Sequence, residues 1–146
     1  MITNRIIVTE SSGRWAIALR SILGNSGVAV IEVGTLAKAF AFLREDSRSL
    51  LAFEASHALA EEGLRLLVSS RREPGRRTIV LLDDATADSE SLWYESGAVS
   101  VVSSPRHLAS IAGLVQRHFE THESEQLSFR EAVWKRMPWH ALGSKS

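Results

Sequence analysis

The chain has 146 residues, no cysteine, and 17 basic against 17 acidic side chains, for a formal net charge of zero. That length holds one domain with a core of its own and some residues to spare, while zero cysteine excludes a disulfide scaffold, a thiolate zinc site and thiol catalysis. The neutral balance argues against a general nucleic-acid or membrane-surface binder. The longest apolar runs, 15–19 and 39–43, are too short to span a bilayer.

Met1 to Arg5 lacks the apolar stretch of a signal peptide, so a cytoplasmic location is expected. Arg5 to Thr9 then reads as a buried strand, and Trp15, Leu19, Ile22 and Leu23 have helical spacing up to Gly24. Val28 to Val33 is a second strand. Thr35 can cap a helix carrying Leu36, Ala39, Phe40 and Leu43. A strand over 49–53 and a helix over 59–68 follow, then a turn at Pro74-Gly75. Thr78 to Leu82 is strand four, Asp88 to Ser96 a short helix closed by Gly97, and Val99 to Val102 strand five. After Pro105, a helix over 106–120 places Leu108, Ile111, Ala112, Val115 and Phe119 on one face.

Five strand–helix units in this order predict an α/β fold, a flavodoxin-like, doubly wound parallel sheet of five strands in the order 2-1-3-4-5. Residues 1–122 form the domain and 123–146 a C-terminal extension. Function in such a sheet gathers at the carboxyl ends of the strands. Those ends carry Thr9, Glu10, Ser11 and Ser12, then Glu54, Ser56 and His57, then Asp83 and Asp84, then Ser103 and Ser104 ahead of Pro105.

Gly97-Ala98-Val99-Ser100-Val101-Val102-Ser103-Ser104-Pro105 resembles the segment of the response-regulator receiver (CheY-like) domain in which Gly-Ala opens strand five and Lys-Pro closes it. Arg5 to Ser11 is similar to that family's first strand and acidic pair, and the resemblance covers about residues 4–120. It implies a phosphoacceptor Asp at the end of strand three. Counting from the strand start puts Glu54 there; counting back from Gly63 puts Ala55 there. The magnesium-holding pair reduces to Glu10 with Thr9 or Ser11. Asp83 stands in place of the phosphoryl-binding Ser or Thr, Ser104 in place of the Lys, and Val101 in place of the aromatic within strand five. The resemblance therefore implies a degenerate receiver lacking both the phosphoacceptor Asp and the strand-five Lys. Asp83 would repel a phosphate, and phosphoryl transfer needs a nucleophile, a divalent cation and positive charge on the developing anion.

Other constellations compete. Thr9 to Arg14 ends a strand and opens a helix, which suits a phosphate, but it has one glycine and Glu10 opposes an anion. Glu10, Glu54, Asp83 and Asp84 could converge on a hard cation. Ser11 or Ser12 with His57 and Asp83 has the residue types of a hydrolase, without a nucleophile elbow. His118 and His122, four apart, read as exposed surface residues. Arg71, Arg72, Arg76 and Arg77 form a basic knot at the edge away from the site.

In the extension, Ser128-Phe129-Arg130-Glu131 is a capping-box pattern that predicts a separate helix over 128–137, ended by Pro138. Phe129, Val133, Trp134, Met137 and Trp139 are its candidate interface residues, with Trp93, Leu108 and Val115 as neighbours on the domain. The expectation is a phosphorylation-independent pseudo-receiver. It is not an enzyme, needs no cofactor or metal, and acts in signalling through a protein partner or a homodimer, without nucleic acid or membrane. The alternative is a flavodoxin-like domain binding a small ligand or metal, possibly a hydrolase, at the acidic and hydroxyl-rich edge.

Overall fold

A computed structural model describes residues 4–46, 48–56, 59–70, 76–83 and 86–136, with the backbone course alone at 122–129 and 135–136. The strands are β1 (Asn4–Thr9), β2 (Val28–Glu32), β3 (Leu50–Glu54), β4 (Thr78–Leu81) and β5 (Ser100–Val102). The helices are α1 (Arg14–Leu23), α2 (Leu36–Glu45), α3 (Ala60–Ser70), α4 (Glu90–Ser96) and α5 (Ala109–Arg136). Single 3-10 turns, Ala87–Ser89 and Pro105–His107, precede α4 and α5. All strand pairs are parallel and the order is β2-β1-β3-β4-β5. The sheet therefore has the topology expected from the alternation of apolar runs.

Side-chain alternation along each strand divides the core into two layers. Ile6 and Val8, Leu50 and Ala52, and Ile79 and Leu81 pack with Trp15, Leu19 and Leu23 of α1 and with Ile111, Val115 and Phe119 of α5. Ile7, Leu51, Phe53 and Val80 pack on the opposite layer with α2, with Leu67 of α3 and with Trp93 of α4. The Phe53 ring also lies against Gly63, where an added Cβ would meet it at 2.5 Å. Strand registers bring Thr9 beside Phe53 and Glu54 beside Leu81. The functional edge is thereby set, with Glu54 on the same side of the sheet as Leu50 and Ala52.

Three expectations change. Trp93, Leu108 and Val115 are 1%, 0% and 0% exposed, so they belong to the domain's own core and not to an interface. Ser128 does not start a helix: α5 runs unbroken from Ala109 to Arg136, through the 122/123 boundary. His118 is fully buried, and its Nε2 lies 2.8 Å from the Arg48 carbonyl oxygen at the entry to β3. Met137 and Trp139 lie outside the described residues.

Candidate functional site

The carboxyl edge of the sheet begins with Glu10, the residue after β1. Gly13 enters α1 with a φ of 78° and supplies no side-chain cap. Glu10 takes that task from three residues upstream. One carboxylate oxygen accepts the Trp15 N–H at 2.9 Å and the other the Ala16 N–H at 2.6 Å. Both are orphan donors of the first helical turn, and a negative charge there also suits the helix dipole. The Ser12 hydroxyl donates to the same carboxylate at 3.5 Å.

Glu54 is the last residue of β3 and is 5% exposed. Because it follows Leu50 and Ala52 at two-residue intervals, its side chain enters the α1 layer, where Trp15 is buried. The Trp15 indole Nε1–H donates to Oε2 at 3.0 Å, and the Ser11 hydroxyl donates to Oε1 at 3.1 Å. Each carboxylate oxygen thus has a neutral donor, which is how a buried carboxylate avoids an unsatisfied lone pair. Ala55, the other candidate for the strand-end position, is buried in the opposite layer with Phe53 and Trp93.

Asp83 is bound into its own turn. Its Oδ1 accepts the Thr86 N–H at 2.9 Å and the Thr86 hydroxyl at 2.8 Å, and its own N–H donates to the Thr86 oxygen at 3.0 Å. Ser104 caps the 3-10 turn begun by Pro105, its oxygen accepting the Arg106 N–H at 3.4 Å. The position read as lacking an aromatic, Val101, donates its N–H to the hydroxyl of Tyr94 on α4 at 3.2 Å. Asp84 and His57 lie outside the described residues, as do Arg71 and Arg72 of the basic knot.

Among the described residues no three His, Cys, Asp or Glu side chains come together to hold a metal ion. Two of the grooves among the described residues are well formed, and neither is lined by Glu10, Glu54 or Asp83. One, of about 570 Å³, lies at the amino-terminal edge of the sheet between Leu23, Val28, Val115 and Phe119. The other, of about 320 Å³, lies between α3 and α4 against Ala55, Leu64, Leu92 and Trp93. The site residues that the sequence reading passed over are Trp15 and Thr86. A signal existed for the first: a buried tryptophan needs an acceptor for its N–H, and the layer it occupies contains the end of a strand closed by a carboxylate.

No protein-family model matches the chain, and no curated protein matches it significantly. Solved structures do. The signal receiver domain of a LuxO repressor protein from Vibrio parahaemolyticus superposes with a TM-score of 0.67 at 17% identity, over 87% of this chain and 98% of that one. A response regulator from Thermotoga maritima gives 0.65 at 25% identity, over 82% and 99%. NtrX from Brucella abortus gives 0.63 at 15% identity over 92% of this chain, which spans only 29% of NtrX. The fold is that of the response-regulator receiver domain. Within that receiver fold, the strand-end carboxylate is bonded sideways to α1, and the other positions of the edge are occupied by local caps. No described helix is long and apolar enough to cross a membrane.

Proposed function

We propose that this chain is a pseudo-receiver: a receiver-fold domain that takes no phosphoryl group, catalyses no reaction, and acts in regulation by binding protein. The observation that carries the reading is the state of Glu54. A receiver-type acceptor needs a carboxylate oxygen free to attack phosphorus, with a cation beside it. Both Glu54 oxygens are hydrogen-bonded to neutral donors of this chain, Trp15 and Ser11. A second support is chemical. Asp83 contributes negative charge, and Ser104 contributes no cation, where charge on a phosphoryl group would need neutralising. An edge whose groups satisfy one another has one preferred arrangement and gives no handle to a phosphoryl signal.

Incubation with acetyl phosphate and Mg²⁺, read by intact mass, tests this. The unmodified mass is expected at every time point. A stoichiometric phosphoryl adduct that hydroxylamine removes, as it removes acyl phosphates, would overturn the reading.

A further inference from the structure

The groove of about 320 Å³ between α3 and α4 has Ala60 and Leu64 on one side, Leu92 on the other, and the buried Ala55 and Trp93 as its floor. The floor is held in place. The Trp93 indole Nε1–H donates to the Ser89 hydroxyl at 3.0 Å, and its ring meets Phe53 edge-on, 5.5 Å between centroids. A groove with a fixed floor accepts a side chain without first rearranging. Its apolar surface continues outward on both helices: Val68, four residues after Leu64, is 50% exposed, and Leu92 is 46% exposed. Ala55 is also one of the two residues that can stand where a receiver has its phosphoacceptor. That position supplies a methyl group to the floor, so the groove reaches the carboxyl edge of the sheet.

Charge at the rim says what can cover it. Asp88 is exposed and lines the groove itself. Glu95, three residues after Leu92, lies beside it on α4. From Thr78 to Pro105 the chain has five acidic residues and no Lys or Arg. The one cation of α3, Arg65, is 3.4 Å from Glu61 a turn earlier and adds no net charge. An apolar groove with an acidic rim rejects an acidic partner and favours an apolar anchor flanked by ammonium or guanidinium groups. Its volume is at the small end for a ligand pocket, which suits an anchoring side chain. The exposed Val68 and Leu92 give a longer partner further apolar contact. An amphipathic helix presents anchors four residues apart in this way, with its charges to either side.

We propose that the α3–α4 groove docks a basic amphipathic helix of a separate protein, with one aliphatic or aromatic side chain seated over Trp93 and Lys or Arg residues facing Asp88 and Glu95. The proposal rests on the reading of the chain as a protein-binding domain and names the surface and the chemistry of the partner. The contact is small and its charges are at the surface, so association is weak and falls as salt is raised.

The test is a titration of the ¹⁵N-labelled full chain with a synthetic Ala-rich helical peptide carrying two Leu four apart and flanking Lys. Two control peptides replace Lys by Glu, or Leu by Ala. The Lys–Leu peptide is expected to shift the Trp93 indole signal and the amides of Leu64 and Leu92 saturably, and each control to bind about tenfold more weakly or worse. Asp88→Lys with Glu95→Lys should reverse the preference for Lys over Glu, and Ala60→Phe, which fills the groove, should remove binding. Unaltered circular dichroism establishes that the variants fold. No saturable shift at millimolar peptide, equal binding of the Leu-to-Ala control, or a preference that survives the charge reversal would each overturn the proposal. Phenylethylammonium binding as tightly as the peptide would mark a small-molecule site and overturn it too. So would a dimer of the full chain, seen by sedimentation and dissolved by the charge reversal, because a second copy would then be the occupant. The acetyl phosphate experiment reads the pseudo-receiver assignment separately, so a chain that takes up no phosphoryl group and ignores the Lys–Leu peptide defeats the groove alone.

Discussion

The indole N–H of Trp15 reaches across the interior to the end of a strand 39 residues away in sequence. That bond joins a fully buried side chain to a nearly buried carboxylate, so removing either partner strands the other. Trp15→Phe should destabilise the fold by about 1–3 kcal/mol, since Glu54 loses a donor and the smaller ring packs less fully. Glu54→Gln should cost less, under about 1 kcal/mol. The amide oxygen accepts from Trp15, the amide nitrogen donates to Ser11, and the serine hydroxyl simply reverses its role. Urea melts of the two variants check the order, and a Gln variant as damaged as the Phe variant would mean the charge itself is required. Helical spacing in the sequence identifies Trp15 as a core residue, and the end of the third apolar run identifies Glu54 as a strand-end carboxylate. Their contact depends on which layer each residue faces, and that follows only from the register of three strands.

Local chemistry decides most element boundaries. Thr35 caps α2 by accepting the Lys38 N–H at 3.2 Å, and Gly97 closes α4 with a φ of 118°. The cap on α1 is less local, because Glu10 sits three residues before Gly13. Glu10→Ala should lower stability by about 0.5–2 kcal/mol, as loss of a cap does, and thermal melts will show it. Gly63→Ala should cost about 1–3 kcal/mol, because the new methyl group and the Phe53 ring cannot both keep their places. In α5, Ser128-x-x-Glu131 matches a helix start in composition, but a start also needs a break before it. No glycine or proline stands between Leu114 and Met137, and Glu, Gln, Leu and Ala are good helix formers. Ser128→Ala should therefore leave far-UV ellipticity unchanged or slightly stronger, whereas loss of a true cap would weaken it. The burial of His118 was hidden for a related reason. Its position on the helix places it beside Phe119, yet the Arg48 carbonyl that receives it belongs to a loop 70 residues earlier.

At the scale of the molecule, alternation of apolar runs with helical spacing restricts the connections to right-handed crossovers, and the order β2-β1-β3-β4-β5 follows from few alternatives. Receiver function asks for more than that topology. It needs groups at the carboxyl edge left unbonded in one state and engaged in another, so that a ligand has a difference in free energy to act on. Here Glu10, Glu54, Asp83 and Ser104 each have an intramolecular donor. The central claim is that this edge stays in one arrangement whatever phosphoryl chemistry is offered. It is tested most directly by two-dimensional ¹H–¹⁵N spectra with and without Mg²⁺ and beryllofluoride, a mimic of a carboxylate-bound phosphoryl group. The indole Nε1–H signal of Trp15, identified by its loss in Trp15→Phe, reports on the bond to Glu54. The account predicts that this signal and the amides of Trp15 and Ala16 stay where they are. A displaced Trp15 indole signal, accompanied by shifts through β4 and β5, would show a working switch and contradict it.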